Sequence, residues 1–104
     1  MSLLLIIGAL TGCYKEPEFL LDKHTATCQW YDECGFLSSL GYDSVDECVD
    51  EATRADELDE EQGTAVCPSY DAENARICVE ELQNRACEDY EEDISNACEA
   101  ACGE

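Results

Sequence analysis

Positive charge is nearly missing from this sequence. Five Lys and Arg residues stand against 26 Asp and Glu, a formal net charge of −21 at pH 7. A field of that sign repels phosphate backbones and bare anionic bilayers, so no nucleic-acid partner is expected. Histidine is scarcer still: His24 stands alone. Cys-His and Ser-His catalysis need a base positioned beside the nucleophile, and His24 is expected to be an exposed loop residue. The chain has no G-x-S-x-G, no H-E-x-x-H and no Gly-rich phosphate loop. It has no C-x-x-C either, which removes the basis for a thioredoxin-like redox site. Val, Ile and Thr never alternate with polar residues over a useful length, so nothing signals a β-hairpin. Long apolar runs are absent too. The run over residues 3–10 is far short of the roughly 20 residues that a membrane-spanning helix needs.

What the chain has instead is cysteine, nine residues in 104. A chain this short buries a modest fraction of its surface and benefits from covalent staples. Beyond Cys13 stand Cys28, Cys34, Cys48, Cys67, Cys78, Cys87, Cys98 and Cys102. An even set in a short exported chain reads as a disulfide framework. Each bridge typically contributes about 2–4 kcal/mol, which would offset the self-repulsion of so acidic a chain. Connectivity is not readable from spacing. Cys98 and Cys102 lie one helical turn apart, so each is expected to reach another element rather than its neighbour. Cys34 with Cys48, across the intervening loop, is one inter-helix pairing that the sequence suggests. Structural zinc usually needs two close cysteine pairs. Only Cys98-x₃-Cys102 offers one, so no zinc site is expected. No catalytic residue, metal ligand or cofactor is assigned.

Local signals point to short helices. Residues 26–34 place Thr27, Trp30, Tyr31 and Cys34 on one face, with Thr25 as a possible cap and Gly35 as a stop. Ser44-Val45-Asp46-Glu47 has the form of a capping box. Val45, Cys48, Val49 and Ala52 follow as an apolar stripe, in a helix expected to run to about Leu58, with Gly63 as a natural stop. Ser69 or Asp71 can cap a third helix whose inner face is Ala75, Cys78, Val79, Leu82 and Ala86. Asp89 with Glu92 can open a fourth, with Ile94, Ala97, Cys98 and Ala101 at helical spacing and Gly103 at its end. The residues before them, 14–24, read as a tether: Glu16-Pro17 disfavours helix at the junction. Trp30, Tyr31, Phe36, Tyr42 and Tyr70 are expected to pack in the core or on the cystines rather than to form a binding patch. The expected fold is an all-α bundle of three or four short helices stapled by about four disulfides.

The beginning of the chain decides how those cysteines are read. Leu10-Thr11-Gly12-Cys13 closes the apolar run and resembles a bacterial lipobox. The resemblance implies removal of residues 1–12 as a signal peptide, lipid on Cys13, and export. Setting Cys13 aside leaves the cysteines even in number. The division that follows is a signal peptide at 1–12, a lipidated tether at 13–25 and an acidic disulfide-rich domain at 26–104. Cys34, the run 42–49 and the run 67–78 resemble small cysteine-rich acidic lipoproteins of Gram-negative bacteria. That resemblance implies a helical, disulfide-bonded domain and no assigned activity. Tyr14 is not the aspartate that retains some lipoproteins in the inner membrane, which implies the outer membrane.

The functional expectation is therefore a non-catalytic envelope module. It would be held to the membrane through Cys13 and would offer its acidic helices to a basic protein partner or to cations. The alternative is a weak calcium-binding or enzyme-accessory lipoprotein using carboxylates. The runs 56–61 and 88–93 are the densest in acid, but neither has the EF-hand pattern.

Overall fold

The computed structural model describes residues 14–89 and 96–103. Cys13, the apolar run before it, Glu92, Ile94 and most of the acidic run 88–93 lie outside the described residues. Of the expected capping pair, Glu92 is therefore outside them, while Asp89 ends a 3₁₀ turn. Within the described residues the protein is all-α. Its helices are α1 (Glu16–Glu33), α2 (Val45–Glu61), α3 (Ala72–Gln83) and α4 (Ala97–Cys102), with 3₁₀ turns at Ser38–Leu40 and Cys87–Asp89. None of these helices is long and apolar enough to cross a membrane.

The largest departure from expectation is α1. Its 18 residues begin at Glu16, so the segment expected to be a tether is helix. Pro17 sits in the first turn, where its missing N–H costs nothing and its fixed φ suits the helix. The Glu18 carboxylate accepts the Lys15 N–H at 3.1 Å, while Glu16 and Glu18 both face the positive end of the helix dipole. Thr25 is therefore no cap. It lies mid-helix, and its hydroxyl donates back to the Leu21 carbonyl at 2.8 Å. The stop is as expected. Gly35 adopts φ +80°, and the Phe36 N–H returns to the Tyr31 carbonyl at 2.8 Å.

The later helices follow their local signals closely. Ser44 Oγ accepts the Glu47 N–H at 3.1 Å. The Glu47 carboxylate reaches one residue further back than a capping box requires, to the Asp43 N–H at 2.7 Å. α2 continues past Leu58 to Glu61, with Gly63 beyond its end. Asp71, rather than Ser69, caps α3, accepting from the N–H groups of Glu73 and Asn74. α3 buries Ala75, Cys78, Val79 and Leu82, as its periodicity predicts. It ends at Gln83, so Ala86 lies beyond it.

All eight described cysteines form disulfides: Cys28–Cys48, Cys34–Cys87, Cys67–Cys102 and Cys78–Cys98. Cys98 and Cys102 do reach different elements. The expected Cys34–Cys48 pair is not formed. Cys34 caps α1 beside the end of α3, where the Trp30 indole N–H donates to the Ala86 carbonyl at 3.2 Å. Cys87 is the next residue in the chain. Cys28, nearly two turns earlier, belongs to the same cluster as Cys48 at the start of α2.

α1 packs on both sides. Toward α3 and α4 it contributes Phe19 and Ala26 to a buried cluster with Cys67, Ala75, Cys78, Val79, Leu82, Ala97, Ala101 and Cys102. Toward α2 the buried cluster is small: Cys28, Leu37 and Cys48, with Tyr31, Tyr42, Val45 and Val49 packed against it. The aromatic residues are used in packing. Trp30 is buried, 5.4 Å from the Phe36 ring, with the Arg85 guanidinium 4.3 Å from its ring centroid. Tyr70 packs 5.9 Å from Phe19.

Candidate functional site: the groove between the first two helices

The α1–α2 interface is filled at one end and open at the other. Along α1, Pro17, Leu21, His24, Cys28 and Tyr31 recur at steps of four and three residues, one face of a helix. Cys28 and Tyr31 of this stripe are covered by the start of α2. Pro17, Leu21 and His24 instead line a groove of about 430 Å³, together with Glu16, Leu20, Thr53, Asp56, Glu57 and Glu60. Its volume falls within the ordinary range of ligand-binding clefts.

The reason for the opening lies in α2. Its inward face begins with Cys48, Val49 and Ala52, which can meet α1 without water. From Thr53 onward the same side carries Asp56, Glu57 and Glu60, whose charges resist burial. The two helices remain joined there by His24, whose Nε2 lies 2.7 Å from Asp56 Oδ2. This corrects the expectation for His24: it is a half-buried interhelical partner, not an exposed loop residue. No local pattern signals such a pair, because the residues are 32 apart in the chain.

The α1 wall of the groove is mainly apolar, with Glu16 and His24 on it, and the α2 wall is acidic. Leu21 is 52% exposed, a large apolar side chain left open to solvent. Glu16, Asp56, Glu57 and Glu60 supply four carboxylates, and none of the lining residues is Lys or Arg. A second depression along α2, lined by Asp50, Thr53, Arg54, Glu57, Leu58 and Glu61, shares Thr53 and Glu57 with the groove. The acidic run 56–61 is thus helical, and its carboxylates fan around α2 rather than converge. Among the described residues no group of three or more His, Cys, Asp and Glu side chains is placed to hold a metal ion.

The groove on the other side of α1 differs in charge. It is lined by Tyr14, Asp22, Arg76, Val79, Glu80 and Gln83. There the Tyr14 hydroxyl donates to Asp22 Oδ2 at 2.8 Å, the Tyr70 hydroxyl donates to the Tyr14 carbonyl at 2.8 Å, and the Arg76 guanidinium lies 5.6 Å from the Tyr14 ring. Burial, then the bond to the Asp22 carboxylate, raises the Tyr14 phenol above its ordinary value. Burial raises Tyr70 as well, with Arg76 opposing. These contacts pin the chain entering α1.

The fold defines a class: a small all-α bundle stapled by four disulfides. No protein-family model matches the chain, and no curated protein or solved structure matches it either.

Proposed function

We propose that this chain is a non-catalytic interaction module of the bacterial cell envelope, anchored by lipid on Cys13 and presenting an acidic helical surface to a basic protein partner. The observation that carries the proposal is α2. Nine of its 17 residues are acidic, one is basic, and Cys48 alone is fully buried. A helix that buries so little is kept for its outer surface rather than for the core. The anchor reading draws on Leu10-Thr11-Gly12-Cys13 and on the cystines, since the eight other cysteines satisfy one another. Tyr14 after Cys13 favours the outer membrane.

Two measurements test the proposal. Peptide mass mapping of the native protein from membrane fractions should find acyl chains on the Cys13 peptide. Cys13→Ala should release a protein with the same four disulfides into the soluble fraction. An unmodified Cys13, or a scrambled disulfide map in the variant, would overturn the anchor. For the surface, oligolysine should bind at low salt and be released as salt rises. Neutralising Asp50, Glu51, Asp59 and Glu61 to Asn and Gln should weaken that binding. Binding that ignores both salt and these substitutions would remove the acidic-surface reading.

A further inference from the structure

We propose that the groove between α1 and α2 is the docking site for a basic, amphipathic peptide segment of a partner protein. Apolar side chains of that segment would seat on Pro17, Leu20 and Leu21, and flanking Lys or Arg side chains would meet Glu16, Glu57 and Glu60. The inference rests on the acidic-module reading and gives it a location and a ligand chemistry.

Three observations combine. The groove continues the α1 face that α2 covers lower down, so it is the unfilled half of a helix–helix interface. A segment with apolar residues at helical spacing is the shape that completes such a half. The rim is complementary to cations alone, because four carboxylates line the groove and no Lys or Arg does. The third observation concerns the end of α2. Its last turn carries no basic residue, although Leu58-Asp59-Glu60-Glu61 sits at the negative end of the helix dipole. Asp56 with Glu60, and Glu57 with Glu61, are like charges one turn apart. Each of these arrangements works against the free helix, and each is relieved when cations are brought to the groove. A local conflict of this kind is expected where a surface is built for a partner. A bare cation would relieve the charge but leave Leu21 exposed, so both halves of the groove call for a ligand that is apolar as well as basic.

The test uses a synthetic amphipathic Leu/Lys peptide and oligolysine of equal charge, titrated into the isotope-labelled, disulfide-bonded protein and followed by amide chemical shifts. The Leu/Lys peptide should shift residues 16–24 and 53–60 and bind more tightly than oligolysine. E57Q/E60Q should weaken it about tenfold, which asks about 0.7 kcal/mol of each of two exposed charge pairs, within their usual worth. L21S should weaken the Leu/Lys peptide several-fold and leave oligolysine unchanged. Both variants alter exposed side chains, and unchanged thermal melting confirms that each remains folded. Equal binding of the two probes, or shifts spread along α2 away from the groove, overturns the groove while leaving the acidic-module reading in place. So does an L21S variant that binds the Leu/Lys peptide undiminished. If neither probe binds at low salt, both readings fail.

Discussion

The two flanks of α1 are built on opposite principles. Toward α3 and α4 the helix meets apolar side chains along its length, and Cys67–Cys102 and Cys78–Cys98 lock α4 down at two points. Backbone bonds add to this, from Ser69 N–H to the Cys102 carbonyl at 3.1 Å and from Asp71 N–H to the Ala101 carbonyl at 2.8 Å. Toward α2 there is one disulfide, near the beginning of that helix, and a buried cluster of three residues. Charge follows the same division. The α2 flank concentrates carboxylates, whereas the opposite groove includes Arg76. In a chain of net charge −21, repulsion has to go somewhere. A large share of it, nine of the 26 acidic residues, falls on a helix whose far end contributes nothing to the buried clusters.

The sharpest way to break this comparison is a pair of substitutions two residues apart on α1. Phe19 is fully buried, and Phe19→Ala should cost about 3–5 kcal/mol in a denaturant titration. Leu21→Ala removes a side chain that is 52% exposed and should stay within about 0.5 kcal/mol of the parent. Equal losses would mean that the α2 flank carries as much of the core as the other.

A second contrast uses the disulfides. Cys28–Cys48 and Cys78–Cys98 each close a sequence separation of 20 residues. Their loop-entropy contributions are therefore equal, about 3 kcal/mol, and any difference comes from the surroundings. Cys78→Ala/Cys98→Ala should lower the melting temperature of the whole domain further. Cys28→Ala/Cys48→Ala should instead show itself in hydrogen exchange, with α2 losing protection while α3 retains it. Uniform loss of protection in both variants would contradict the division into flanks.

Smaller effects follow. Asp56→Asn should cost no more than about 1 kcal/mol, the range of a partly exposed ion pair, and should speed exchange at the end of α2 alone. The last prediction concerns alkali. The phenols of Tyr14 and Tyr70 are raised in the folded protein by burial, and the Asp22 bond adds to this for Tyr14. A raised group favours folding fully below its unfolded value, about 10 for tyrosine. That contribution falls as pH rises above this value toward the folded one. Stability should therefore decline above about pH 10, and Tyr14→Phe should flatten part of that decline in melting curves across the range. An unchanged slope would show that the Tyr14 phenol ionises alike in the folded and unfolded chain.

The sequence was most informative where structure is decided within a few residues. Ser44, Asp71, Gly35 and Gly63 each act through neighbours two or three positions away, and each marks a boundary where expected. Gly103 adds a tertiary reason to its local one. At φ +74°, a Cβ there would lie 2.7 Å from that of Ser69. Pro17 misled because the same residue breaks a helix in its interior and begins one in its first turn. Only the packing of Phe19 against Tyr70 and Ala75 decides between the two. The pairing of Cys34 with Cys87 and the meeting of His24 with Asp56 join residues 53 and 32 apart. They are products of how α1 lies against its neighbours, and no local pattern encodes that. The groove was hidden for the same reason, since half of its wall is the first part of α1, which the sequence reads as a tether.

Were Cys13 acylated, as proposed, the bond from the Tyr70 hydroxyl to the Tyr14 carbonyl would set the height and orientation of the domain. Tyr14 is one peptide unit, about 4 Å, from Cys13. An acyl anchor on Cys13 would then have no leash. The domain would ride at the head-group level with the start of α1 toward the bilayer, and the α1–α2 groove would open close to that plane. A partner reaching it would have to come along the membrane surface, not down from the bulk.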